Sequence, residues 1–279
     1  MARQPLDPHD LVPAITYPSQ SSFARRLDDQ QDAKQHVASA VEWRFGLSRG
    51  DSLLILDGSS SFYVGLAAMH RASDPNQKRA TTGIKTVSEA LGDELAFSDR
   101  NYHVRLHLAE GEVHPDLFTV YGEPTDEFVK KYAEECLYTV VSVNALFSYL
   151  GPYGVDSVTV SMKRAVARSK FQRLIFVTDH TKLAKLPNDV DSVGSAVFHD
   201  PKEWHALRAN ERCFVFTTPY PGTPGYGHVA TVPENVPVQE LAKRGPQDRY
   251  AIQAKHLNDA MSSDRFVVVP FCVPGSAVP

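Results

Sequence analysis

Three consecutive hydroxyl residues, Ser59, Ser60 and Ser61, follow an apolar run that ends in Asp57, and they open a segment of helical apolar spacing within SLLILDGSSSFYVGLAAMH, residues 52–70. The pattern predicts a buried strand, a turn and a helix. At such a junction the first N–H groups of the helix and the side-chain hydroxyls point at one spot, where the positive end of the helix dipole favours an anion such as phosphate. A plainer reading stands beside it, in which Ser59 or Ser60 simply caps the helix. Asp57, at the strand end, is placed to accept ligand hydroxyls or to brace the turn through backbone N–H groups.

The elements that must carry this junction alternate along the chain. Apolar runs predict strands at 53–57, 103–109, 137–143, 173–178, 194–198 and 213–217, and helical spacing predicts helices at 60–71, 85–93, 125–135 and 158–170. LYTVVSV and RLIFVT have the continuous apolar character of central strands covered on both faces. The expected fold class is therefore α/β, a mainly parallel sheet flanked by helices. An extended arm with four prolines, residues 1–29, precedes a helix with apolar positions Ala33, Val37, Val41 and Phe45. Past TTPYPGTPGYGH, residues 219–279 read as a Pro/Gly-rich linker and C-terminal appendage with a helix near 248–261 and a strand at 266–271.

Composition excludes several function classes. A net charge of −4 gives no electrostatic reason to expect nucleic acid. The three cysteines are far apart without metal-ligand or redox spacing, and read as reduced core thiols of a cytoplasmic protein. No apolar run approaches a membrane span. His103 and His107 stand four residues apart on a strand, about 13 Å, too far to share one metal directly. Nucleophile-elbow, phosphate-loop and zinc-helix motifs are absent. No metal and no cofactor are expected.

Four segments, read in order, resemble the C-terminal sensor domain of DeoR-type sugar-metabolism regulators, within the larger group of ribose-5-phosphate isomerase, glucosamine-6-phosphate deaminase (NagB/RpiA) and CoA-transferase-like folds. The first helix with LSRGDSLLILDGSSS is similar to that family's helix, Gly-Asp turn and L-D-x-G-T-T loop. ATTGIKTVSEAL at 80–91 is similar to its second loop, LAEGEVHPDLFTVYGE at 108–123 to its G-G-E segment, and MKRAVARSKFQRLIFVTDHTKL at 162–183 to its V-K-R-A helix, strand and D-S-S-K turn. The resemblance spans residues 30–218.

It implies a cleft to which Thr81, Thr82, Gly83 and Lys85 contribute from the second loop, with Glu112 available to ligand hydroxyls. Lys163 and Lys182 match the family's two lysines and would neutralise phosphate as point charges. Asp179 would orient Lys182 or bind a hydroxyl, and Asp179 and His180 are the weak catalytic candidates. Departures fall where the isomerases carry acid–base chemistry. Asn144 stands in place of an Asp, and Met162 in place of a Glu. Moving a proton between adjacent carbons needs a titratable base, and neither residue supplies one.

The expectation is a stand-alone, sensor-like protein that binds a phosphorylated sugar or related small anionic metabolite and forms a homo-oligomer. The roughly 30 residues ahead of the first helix are too few for a winged helix-turn-helix, so no direct DNA binding is expected. The alternatives are an isomerase- or transferase-type enzyme with other acid–base residues, and an assembly subunit with a vestigial cleft.

Overall fold

A computed structural model describes residues 28–47, 51–56, 58–72, 82–86, 104–114, 119–154, 157–186, 195–221 and 238–269. Its centre is a seven-stranded parallel sheet. The strands are β1 (Ser52–Ile55), β2 (Thr82–Thr86), β3 (Val104–Leu108), β6 (Tyr138–Ser142), β9 (Leu174–Val177), β11 (Cys213–Thr217) and β12 (Phe266–Val268), in the order β12-β11-β9-β6-β1-β2-β3. Between β3 and β6 come the antiparallel pair β4 (Glu112–His114) and β5 (Thr119–Tyr121). A small antiparallel sheet joins β7 (Ala145–Phe147), β8 (Gly151–Gly154) and β10 (Ser195–Ala196).

The helices are α1 (Gln31–Phe45), α2 (Ser59–Ala72), α3 (Glu123–Glu135), α4 (Ser157–Ala167), α5 (His180–Leu183), α6 (Pro201–Ala209), α7 (Val238–Ala242) and α8 (Pro246–Met261). Strand side chains alternate between two cores, as a period of two demands. Leu53, Ile55, Val140 and Val177 pack with Val37, Val41 and Phe62 of α1 and α2. Leu54, Val141, Phe176 and Val215 pack on the other face with Val129, Val166, Trp204 and Leu257 from α3, α4, α6 and α8. The protein is thus an α/β fold with helices on both faces of a parallel sheet.

Start signals agree with these bounds. Pro124 stands in the first turn of α3, where a missing N–H costs nothing. Asp200 caps α6, its carboxylate accepting the Lys202 N–H at 2.9 Å.

Three expectations need correction. TTGIKT is not a loop leading into a helix at 85–93: Thr82–Thr86 form β2, paired with β1 and β3, while 87–93 lie outside the described residues. The glycine reads as a loop signal, but alternation of Thr82, Ile84 and Thr86 and two parallel neighbours outweigh it. The expected strand at 194–198 is a two-residue bridge in the small sheet. The C-terminal segment expected as an appendage is integral, since β12 pairs with β11, and Tyr250, Leu257 and Met261 of α8 lie fully buried in the main core.

Candidate functional site

The chain runs from β1 outward through β2 to β3, then returns to β6 on the other side of β1 and continues outward to β12. The reversal between β1 and β6 is a switch point, the place where open α/β sheets leave a crevice at the carboxyl ends of their strands. The turn after β1 is set by Gly58, at φ 116°. A Cβ there would sit 2.5 Å from Ser142 Cβ, so glycine alone lets this turn lie against the end of β6.

Ser59, Ser60 and Ser61 follow, all buried. Ser61 turns inward: its hydroxyl hydrogen faces the carbonyls of Leu56 at 2.5 Å and Gly58 at 2.7 Å, bracing the turn. Ser59 faces a cavity of about 110 Å³. Ser60 Oγ lies 3.4 Å from Lys182 Nζ.

Four lysines line that cavity, Lys34, Lys163, Lys182 and Lys185, together with Asn144 and Ser142 from the end of β6. Lys34 on α1 and Lys163 on α4 are 2% and 3% exposed, which is exceptional for lysine. Lys34 Nζ donates to the Asp29 carbonyl, and Lys185 Nζ to the Asn144 carbonyl at 2.9 Å. Asp29 adds one acidic side chain to the rim.

Asp179 lies behind this ring, wholly buried, 3.2 Å from Lys182 Nζ. Burial raises its pKa, but the Lys182 charge, the Thr181 hydroxyl and the charge of Lys34 outweigh it and hold the carboxyl down at about 2. Asp179 also caps α5 by accepting the Thr181 N–H at 3.0 Å. Its place is to hold Lys182, and it does not line the cavity.

His180 is buried with Thr218 Oγ1 3.0 Å from Nδ1 and 3.2 Å from its backbone N, which ties α5 to the end of β11. Burial lowers its pKa, against a smaller opposing field from Asp179.

The structure brings Ser59, Asn144, Lys163 and Lys182 to one cavity, with Ser60 and Asp179 directly behind Lys182. Others stand apart. Glu112 is an exposed residue of the β4–β5 pair, where it accepts the Tyr121 hydroxyl at 2.7 Å and raises that phenol's pKa. Gly83 pairs with Ser52 and Lys85 with Leu54, and Thr82 comes one position earlier, so these three flank the body of β1 instead of its carboxyl end. Asp57 and Thr81 lie outside the described residues. Met162 is fully buried in the core, a packing residue.

Sequence reasoning missed Lys34 and Lys185. A signal for the first was present, because Lys34 sits in the stripe Ala33, Lys34, Val37, Ala38, Val41 that α1 buries, and a lysine on an apolar face needs a reason. Lys185 follows Lys182 by three residues, just past the end of α5, and no periodicity singles it out.

Chemically, the arrangement offers ammonium groups, hydroxyls, an amide and a helix N-terminus to a small oxyanion. Among the described lining residues, no carboxylate other than Asp29 could take up a proton from a bound ligand. No group of described residues fits a metal ion, and no described helix is long and apolar enough to cross a membrane.

Fold and cavity together define an α/β protein with a basic crevice at its switch point. No family model matches the chain, and no curated protein matches its sequence. Among solved structures it is similar to eIF2B delta from Chaetomium thermophilum, at 12% identity over 56% of this chain and 50% of that one, with a TM-score of 0.36. It is also similar to the tetrameric eIF2B-beta2-delta2 complex from C. thermophilum, at 14% identity over 57% and 46%, with a TM-score of 0.34. The chain spans about half the length of these structures. Likeness at this level concerns backbone architecture alone.

Proposed function

We propose that this chain is a sensor-like protein of the DeoR-sensor type, which binds a small phosphorylated metabolite at the β1–β6 crevice and does not transform it. One observation carries the reading: four lysines, two of them almost wholly buried, surround a cavity that opens on the N-terminus of α2. Their ammonium groups, the Ser59 hydroxyl and the positive end of the α2 dipole would act together on a phosphate held at the Ser59 turn.

The same geometry argues against proton-transfer chemistry. Asn144, which the resemblance matches to the isomerase carboxylate, lines the cavity, and Asp179, its carboxyl held down at about 2, is paired with Lys182. Titration calorimetry with inorganic phosphate and glycerol 3-phosphate tests binding, and NMR of sugar-phosphate mixtures tests turnover. Saturable binding lost in Lys163→Ala, with no product signal, is the expected result. Turnover of any phosphorylated sugar would transfer the reading to an isomerase- or transferase-type enzyme.

Self-association belongs to the proposal. Trp43, 80% exposed on α1, is the side chain a second copy would cover. Light scattering of Trp43→Ser against the unaltered protein checks this, and an unchanged mass would remove Trp43 from any interface.

A further inference from the structure

The walls of the crevice are tied to one another. Lys185 Nζ donates to the Asn144 carbonyl at 2.9 Å, which joins the segment after α5 to the turn after β6. Lys182 Nζ lies 3.2 Å from the Asp179 carboxylate and 3.4 Å from Ser60 Oγ, which joins α5 to the first turn of α2. Lys34 Nζ donates to the Asp29 carbonyl, so the start of α1 is closed on itself at the rim. Between the two strand ends, Gly58 packs on Ser142 with no room for a methyl group. Hydrogen bonds to charged groups are stronger than neutral ones, so walls joined by them resist spreading to admit a larger guest. Their spacing therefore sets a size limit.

The enclosed space is about 110 Å³, the room of about four water molecules at ~30 Å³ each. A phosphate group has four oxygens around one central atom, so it fills that space by itself. The carbon that carries it then lies at the mouth, level with the tied walls. A CH₂ carbon passes there, because the chain continues from it in one direction only. A carbon with two further carbon neighbours must press one of them into a wall. Resting on the phosphate-binding reading above, we infer that the ligand is a phosphate monoester of a primary alcohol, its phosphate enclosed and the rest of the molecule outside the cavity, past Asp29 at the rim. A phosphate on a secondary or ring carbon is refused, even where charge and composition are the same.

Two isomers separate this inference from the one beneath it. Glycerol 3-phosphate and glycerol 2-phosphate have the same charge, and only the first carries its phosphate on a terminal carbon. Calorimetry is expected to give the first at least about fivefold tighter binding, the scale on which overpacking a fixed wall acts. Asn144→Ala and Val143→Ala each take side-chain volume from the lining without removing a lysine, and each should shrink the gap to about twofold or less. Inorganic phosphate serves as the third probe. If glycerol 2-phosphate binds the unaltered protein within about fivefold of its isomer, the size limit is overturned and the phosphate site stands. Inorganic phosphate binding alone, with neither ester accepted, would overturn the inference as well. A gap that survives undiminished in both variants would place the limit outside this cavity, with the same consequence. If none of the three probes binds at millimolar concentration, the phosphate-binding reading itself fails.

Discussion

Two concavities among the described residues are of opposite character. A groove of about 450 Å³ runs along α3 and α4, with Glu123, Asp126, Glu127 and Lys130 on its walls. The crevice at the switch point is a quarter of that volume and basic. Size favours the groove, but Glu123, Glu127 and Lys130 are exposed to water, and Asp126 is already satisfied by the Ser161 hydroxyl at 2.5 Å. In the crevice Lys34 and Lys163 are buried, and Lys182 and Lys185 are half-buried beside them. Solvated carboxylates on an open wall cost nothing to maintain, whereas lysines held away from water persist for a reason, so burial of charge locates a site better than volume does.

Paired substitutions at the two glycines give the largest contrast. Gly58→Ala in the crevice forces a Cβ to 2.5 Å from Ser142 Cβ on top of a strained φ of 116°, and should cost about 3 kcal/mol in urea unfolding. Gly122→Ala in the groove has a similar φ of 115°, but its Cβ meets only Pro124 Cδ at 3.8 Å, so about 1 kcal/mol is expected. Equal losses would mean that the crevice turn is no tighter than the groove.

Charge gives the next contrast. Lys163→Ala should weaken phosphate binding by roughly 10- to 100-fold, and Lys130→Ala in the groove by less than about twofold, both read by calorimetry.

Acid titration follows. Asp179 has a folded-state pKa held down at about 2 against an ordinary 3.8, so its contribution is present above that ordinary value and is lost as pH falls from about 4 towards 2. The linked stability is about 2 kcal/mol, and the pH dependence of unfolding should lose this component in Asp179→Asn. The smallest effect belongs to the groove: Ser161→Ala removes one hydrogen bond to Asp126, about 1 kcal/mol, with no change in phosphate affinity.

Much of this architecture was legible in the sequence. The apolar runs that became β1, β6, β9 and β11 are buried on both faces, and such strands need no tertiary context to be recognised. β2 was not, because Gly83 imitates a loop and only pairing with β1 and β3 makes the segment a strand. Of the small sheet only β10 was anticipated, within a longer strand at 194–198, since β7 and β8 are three and four residues long and carry no period.

At the site, Ser59, Lys163, Lys182 and Asn144 were reachable from local pattern and family resemblance. Lys34 lies on the buried face of α1, and it needed the rule about charges on apolar faces. Ser61 shows the opposite failure, because a hydroxyl at the right place in sequence faces its own backbone carbonyls in space.

Arg249 on α8 donates to the carbonyl of Ala184 at 2.7 Å, and Ala184 lies between Lys182 and Lys185. The C-terminal helix therefore anchors, from outside the cavity lining, the stretch of backbone that carries both lysines.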